Sequence, residues 1–207
     1  MIKPYYEEEN IKIYLGDCFE VMKELPDSSI DLIVTDPPYG ITKNDWDKVP
    51  PKEYFDEMFR VSKNQIIFGG NFFDLPKKLG WVVWYKRPFL KTTNEAELIW
   101  TSFKIKNKVL DYTYAGNYEG FTGSKIKPNY KKKKIVYTSE KPVAVLKWLL
   151  ENFSSKDDII LDPFMGSGTT LRACKDLGRR GIGIEINKEY CDIAIKRLAQ
   201  EVLNLNM

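Results

Sequence analysis

The 207-residue chain contains no histidine, which excludes every mechanism built on an imidazole base and argues against the usual zinc spacings, so no metal site is expected. Its three cysteines, Cys18, Cys174 and Cys191, are an odd number with no close pair, so a disulfide framework is not expected. Long apolar runs are also missing. Stretches such as Ile66–Phe68 fall far short of a membrane span. No basic stretch followed by an apolar one opens the chain; Glu7, Glu8 and Glu9 stand there instead, which reads as an intracellular protein without a secretory or transit leader. Net charge is only +3, so attraction to a polyanion must come from where the charges sit. What is present, 43% hydrophobic and 29% charged residues, is the composition of a globular protein, and the length suits a single domain over 1–207.

Short apolar strands alternate with amphipathic helices. Residues Ile11–Leu15, Ile30–Thr35, Gln65–Gly69, Trp81–Tyr85, Ile159–Leu161 and Ile182–Glu185 read as strands, and Glu97–Phe103 as one more, antiparallel at the sheet edge. Helices are expected at Cys18–Leu25, Pro51–Ser62, Phe72–Leu79, Pro142–Asn152, Thr169–Leu177 and Lys188–Leu203. Such alternation implies an α/β fold with a mostly parallel sheet covered on both faces.

Charge is placed unevenly. Between Lys104 and Lys134 nine lysines face only two acids, Asp111 and Glu119, and Tyr112, Tyr114, Tyr118, Phe121 and Tyr130 are interleaved with them. Cations that meet phosphate, mixed with flat rings that meet bases, are what a nucleic-acid surface needs, although a solvated loop has the same composition. Lys131, Lys132, Lys133 and Lys134 are the densest part of this segment.

The stretch Ile159-Ile-Leu-Asp162-Pro-Phe164-Met-Gly166-Ser-Gly168-Thr169-Thr170 carries a strand into an acid, a glycine-rich turn and a helix. Glycine lets the chain turn sharply and lets a ligand approach the backbone, at the sheet edge where open α/β folds bind ligands. Seventeen residues after Gly168 the next strand ends in Glu185, whose carboxylate can accept both hydrogen bonds of a ribose diol. The third glycine of the dinucleotide fingerprint is absent, which favours a smaller nucleoside cofactor over NAD.

Thr35-Asp36-Pro37-Pro38-Tyr39-Gly40 follows another apolar strand. Two prolines fix φ and remove two backbone donors, so rigid carbonyl acceptors stand beside the Asp36 carboxylate. Asp36 and the Pro37 carbonyl can receive the two protons of an exocyclic amino group, while Tyr39 offers a ring to the base that bears it.

These two blocks, with Gly183-Ile-Glu185-Ile186, resemble the catalytic and cofactor motifs of S-adenosylmethionine-dependent DNA amino-methyltransferases. The catalytic tetrad precedes the cofactor glycines, which resembles the circularly permuted beta class. Ser139-Glu140-Lys141-Pro142 is similar to the motif at the methionine end of the cofactor, and Gly16-Asp17-Cys18 to the one near the adenine ring. The resemblance covers most of the chain outside about 104–137, where the family carries its target-recognition region. It implies a Rossmann-like methyltransferase fold with a seven-stranded sheet whose chain order and sheet order differ. It also implies a cytoplasmic, bacterial or phage-encoded enzyme acting on double-stranded DNA, and leaves open a homodimer and a cognate restriction nuclease as partners.

Carried over residue by residue, the resemblance implies that Asp36, Pro37 and Tyr39 are catalytic. Asp162, Phe164, Gly166 and Gly168 would line the methionine and ribose side, Thr169 the carboxylate, and Glu185 the ribose hydroxyls. Asp17 and Lys141 are further cofactor candidates, although Asp17 also reads as a helix N-cap and Lys141 as a surface lysine. Trp46, after the tetrad, falls in a stretch that relatives use to close over the target base. Acceptors at Asp36 and Pro37 would concentrate the amino lone pair toward the sulfonium methyl, with Tyr39 stacking its ring, rather than using its hydroxyl, on a flipped base. An activated sulfonium needs no metal. No cysteine follows a proline, which argues against attack on a cytosine carbon. Three other readings remain open: transfer to the cytosine N4 amino group, transfer to a glutamine amide or an RNA base, and a non-catalytic nucleic-acid binder that keeps the fold. Asp rather than Ser at position 36 favours adenine by family habit.

Overall fold

A computed structural model of the protein describes residues 2–77, 80–86, 94–115, 118–121 and 140–200. Among these residues ten strands form one sheet: β1 (Tyr6–Glu8), β2 (Ile11–Leu15), β3 (Ile30–Thr35), β4 (Ser62–Phe68), β5 (Trp81–Tyr85), β6 (Ala96–Thr101), β7 (Lys108–Ala115), β8 (Tyr118–Phe121), β9 (Ile159–Asp162) and β10 (Arg180–Glu185). Their spatial order is β1-β2-β10-β9-β3-β4-β6-β5-β7-β8. The seven expected strands are its centre, and the count rises to ten because β1 pairs antiparallel with β2 at one end while β7 and β8 extend the other. Chain order and sheet order differ, as the permuted motif order implies.

Among the described residues five helices cover the sheet: α1 (Cys18–Lys23), α2 (Lys52–Val61), α3 (Val143–Phe153), α4 (Thr169–Asp176) and α5 (Lys188–Leu198). Adjacent strand residues feed opposite layers. Ile66, Phe68, Ile99 and Ile160 join Leu146, Leu149, Leu171 and Ala194 from α3, α4 and α5. Ile67, Trp100 and Leu161 join Val21, Met22, Met58 and Val61 from α1 and α2. Apolar residues on both strand faces are what a sheet buried between two helical layers requires.

Two expectations are corrected. The strand after residue 95 is antiparallel, but it lies between β4 and β5 rather than at the edge, paired antiparallel with both. The helix expected over Phe72–Leu79 is a single 3₁₀ turn at Gly70–Phe72, after which Phe73 is extended. Pro76 lacks the amide a longer helix would use, and the residue before it is biased away from helix. Residues 78–79 lie outside the described residues; the last helix, expected to run to Leu203, ends at Leu198 with Ala199 as its cap, and 201–207 lie outside the described residues.

The order reverses between β9 and β3. From β9 the chain passes through α4 to β10 on one side, and from β3 through α2 to β4 on the other. A crevice therefore opens at the carboxyl ends of these two parallel strands, where an open α/β sheet takes its ligand.

Candidate active site

Both sequence motifs converge on that crevice, a cleft of about 920 Å³. Asp17, Asp36, Pro37, Tyr39, Trp46, Lys141, Asp162, Phe164, Gly166, Thr169 and Glu185 all line it. Gly168 does not. Lys131 to Lys134 lie outside the described residues.

Asp162, at the end of β9, is buried and fully engaged. It accepts from Thr35 Oγ1 (2.8 Å), the Phe164 amide (3.2 Å) and Thr170 Oγ1 (2.6 Å), so it ties β9 to β3 and to the first turn of α4. Burial pushes its carboxyl up to about 6, with the two threonine hydroxyls and the Phe164 amide opposing the shift.

The glycine turn divides its work. Gly166 has φ of +50°, and a Cβ there would meet nothing within 4 Å, so its open side can take a ligand. Gly168 has φ of +77°, and a Cβ there would stand 2.6 Å from the Ala194 Cβ of α5. Its amide bonds to the Met165 carbonyl at 2.9 Å. Gly168 thus lets α5 approach α4, and the cleft is shaped by Gly166.

Glu185 closes β10 with each carboxylate oxygen on one backbone amide, Oε2 on Gly166 at 3.0 Å and Oε1 on Asn187 at 2.8 Å. Burial raises its carboxyl while those amides oppose the rise. Each oxygen keeps further lone-pair capacity for a diol. Asp17 is an N-cap, accepting from the Phe19 amide at 2.8 Å, and its second oxygen accepts from the Tyr54 hydroxyl at 2.9 Å. Both readings of Asp17 therefore coexist: it caps α1 and lines the cleft.

The loop after β3 is held by a residue that the sequence reading missed. Asp47 is buried, and its carboxylate accepts four consecutive backbone amides, those of Tyr39 (2.9 Å), Gly40 (2.8 Å), Ile41 (3.0 Å) and Thr42 (2.6 Å). Although burial works against ionisation, those amides bring its carboxyl below the usual range. The only local signal is an acid a few residues after a glycine turn, and nothing in that spacing names its partners. Around it the loop exposes Ile41, Trp46 and Val49 at the mouth of the cleft.

The Asp36 carboxylate accepts from the Tyr39 hydroxyl through Oδ1 and from Lys141 Nζ through Oδ2 at 2.7 Å. Lys141 is therefore not a plain surface lysine. Its segment is fixed by a two-pronged ion pair between the neighbouring Glu140 and Arg197 of α5, at 2.9 and 2.8 Å. Glu97 of β6, another residue the sequence reading passed over, accepts from Tyr39 Oη at 3.0 Å, Lys141 Nζ at 3.0 Å and Lys86 Nζ at 2.6 Å. Burial raises the Asp36 carboxyl more than Lys141 lowers it. At Glu97 burial is outweighed by the ammonium groups of Lys141 and Lys86, which bring its carboxyl down. Burial works against the Lys141 charge, but Asp36 and Glu97 together raise its pKa. The Tyr39 hydroxyl is pushed far up by burial and by both carboxylates, so it is a donor and never an anion at ordinary pH. Its ring stacks on Phe72, with centroids 4.9 Å apart and planes 15° from parallel. Phe72 is 43% exposed, so the ring lying on Tyr39 faces the cleft mouth.

Comparison with known proteins places this geometry in a family. A family profile described as DNA methylase, of the N6/N4 type, matches residues 77–196. The type II methyltransferase M.ScaI of Streptomyces caespitosus is 28% identical over 98% of this chain and 86% of its own length. YubD of Escherichia coli K12, named as a methylase, is 31% identical over 89% of this chain and 88% of its own length. Among solved structures, M1.HpyAVI in complex with S-adenosylmethionine superposes with a TM-score of 0.61 at 28% identity, covering 91% of this chain and all of that one. The cytosine-N4-specific PvuII methyltransferase, at 17% identity and a TM-score of 0.64, shares the fold.

Proposed function

The chain belongs to the N6/N4 family of DNA methylases, and from that membership we propose that it transfers a methyl group from S-adenosylmethionine to the N6 amino group of adenine in DNA. The observation that carries this reading is one continuous cleft at the β9/β3 switch point. It joins an acceptor-rich loop, Asp36 to Tyr39, to a nucleoside-sized recess bounded by Gly166 and Glu185.

The residues present fit the cofactor. The open side of Gly166 admits a ligand against the backbone, and Glu185 has acceptor capacity left for the ribose hydroxyls. Phe164, Thr169 and Asp17 line the same recess. When bound, the cofactor supplies a methyl group already activated on sulfur. Asp36 and the Pro37 carbonyl would accept hydrogen bonds from the target amino group and orient its lone pair, a positioned electrostatic effect at the atom where charge develops, and the methylated nitrogen would then release one proton through Asp36 to solvent. Tyr39 would contact the flipped base, with its hydroxyl held at Asp36 and Glu97 and its ring covered by Phe72 until a base takes that place. Trp46, exposed on the Asp47-held loop, and the lysines at 131–134 would meet the DNA around the site. Asp at position 36 is the feature that favours adenine over cytosine.

Single-turnover methyl transfer to duplex DNA tests the mechanism. Asp36→Ala should keep cofactor affinity within about twofold and lose at least about a hundredfold in rate, comparable to removing one preorganised transition-state partner. A normal rate in the folded variant overturns the role of Asp36.

A further inference from the structure

The donors on Asp36 raise a difficulty for the proposed reaction. Lys141 Nζ stands 2.7 Å from Oδ2 and the Tyr39 hydroxyl stands on Oδ1, so the carboxylate that must receive the target amino group keeps lone pairs for it but already carries an ammonium beside the place where that group would sit. The amino nitrogen becomes positively charged as it takes the methyl, and a lysine on the same carboxylate opposes that charge. The same two donors also reach Glu97. Lys141 bridges the carboxylates at 2.7 and 3.0 Å, and Tyr39, with one proton to give, lies within bonding distance of both.

Glu97 itself is anchored from the far side. Lys86 pairs with its other oxygen at 2.6 Å and lies over the Trp84 ring at 4.6 Å, so Glu97 can stay in place whichever way Lys141 leans. Its side chain is 12% exposed and sits on β6, the strand inserted between β4 and β5, where the sheet rather than a loop fixes it.

We propose that Glu97 is a positioning residue that takes Lys141 and the Tyr39 proton from Asp36 as the target base enters, freeing Asp36 for the amino group. The inference rests on the reading of the cleft as an amino-methyltransferase site. In the resting protein the two donors are shared between the carboxylates. With a base in the cleft they belong to Glu97, and the ammonium is drawn away from the nitrogen that is gaining charge.

The direct test is a structure of the wild-type protein with duplex DNA and S-adenosylhomocysteine. With a base in the cleft, Lys141 Nζ should be within about 3 Å of Glu97 and beyond hydrogen-bond reach of Asp36. Lys141 still bonded to Asp36 beside the bound base overturns the proposal. The kinetic counterpart is Glu97→Gln, which leaves Lys141, among the described residues, only Asp36 as a charged partner. It should lower the saturated single-turnover rate at least about tenfold, with the DNA KM and the cofactor Kd within about twofold. Adding Lys141→Met to Glu97→Gln should restore part of the loss, because the ammonium no longer holds Asp36. An unchanged rate in Glu97→Gln, or losses that multiply in the double variant, contradict the handover. If wild-type protein transfers no methyl group to DNA and no base enters the cleft, the functional reading fails and the handover falls with it. Methyl transfer by the wild type with Lys141 fixed on Asp36 sinks the handover alone.

Discussion

Thr35 Oγ1 donates to Asp162 Oδ1 at 2.8 Å, joining two residues 127 positions apart at the carboxyl ends of β3 and β9. This bond sets the loop that carries Asp36 beside the glycine turn, because Thr35 immediately precedes Asp36 and Asp162 precedes Pro163 and Phe164. Its acceptor has a carboxyl pushed up to about 6 by burial, so the folded protein binds the Asp162 proton more tightly than the unfolded chain does. The stabilisation from that proton is complete below about pH 4 and is lost as pH rises through about 6, roughly 3 kcal/mol in all. The unfolding free energy of wild type minus that of Asp162→Asn should fall by this amount between pH 4 and 6 and then level. A flat difference in urea titrations contradicts the burial of an ionisable Asp162.

Asp47 organises the loop that carries Tyr39. Asp47→Ala releases four amides and should cost about 2–4 kcal/mol of stability, given charge-assisted bonds that do not add fully. The amides of residues 39–42 should exchange faster with solvent while those of β3 remain protected. Equal protection of both segments in the variant would show that the loop is held by something else.

The two glycines of the turn should separate in their effects. Gly168→Ala meets Ala194 and a left-handed backbone together, so it should destabilise the fold by at least about 2 kcal/mol. Gly166→Ala meets open space, so it should cost about 1–2 kcal/mol of backbone strain and show its larger effect in calorimetric cofactor affinity. The reverse pattern contradicts the assignment of Gly166 to the ligand and Gly168 to helix packing.

Tyr39→Phe removes a hydroxyl that serves Asp36 and Glu97, although the sequence suggests that the ring alone matters. In the handover that hydroxyl leaves Asp36 before transfer, so the variant should keep its single-turnover rate within about threefold of wild type, with cofactor affinity unchanged. A loss of about tenfold or more, equivalent to about 1.4 kcal/mol, means that the hydroxyl stays on Asp36 during transfer.

Much of this was legible in the sequence because strand, acid and turn are local signals. Asp36, Asp162 and Glu185 each end an apolar run, and the structure brings all three to one crevice. Glu97 was not legible, since its partners depend on β6 being inserted between β4 and β5, an order that no periodicity encodes. Asp47 was hidden for a different reason: a side chain that binds only backbone leaves no complementary residue to notice. Gly166 and Gly168 look alike in the sequence, and only the approach of Ala194 tells them apart.

The proposed acceptor atom is the N6 amino nitrogen of adenine. Duplex DNA incubated with the protein and S-adenosylmethionine carrying an isotopically labelled methyl group, digested to nucleosides and resolved by mass, should yield label in N6-methyladenine, and Asp36→Ala should abolish that product. Label on the cytosine N4 amino group, in protein or nowhere contradicts it.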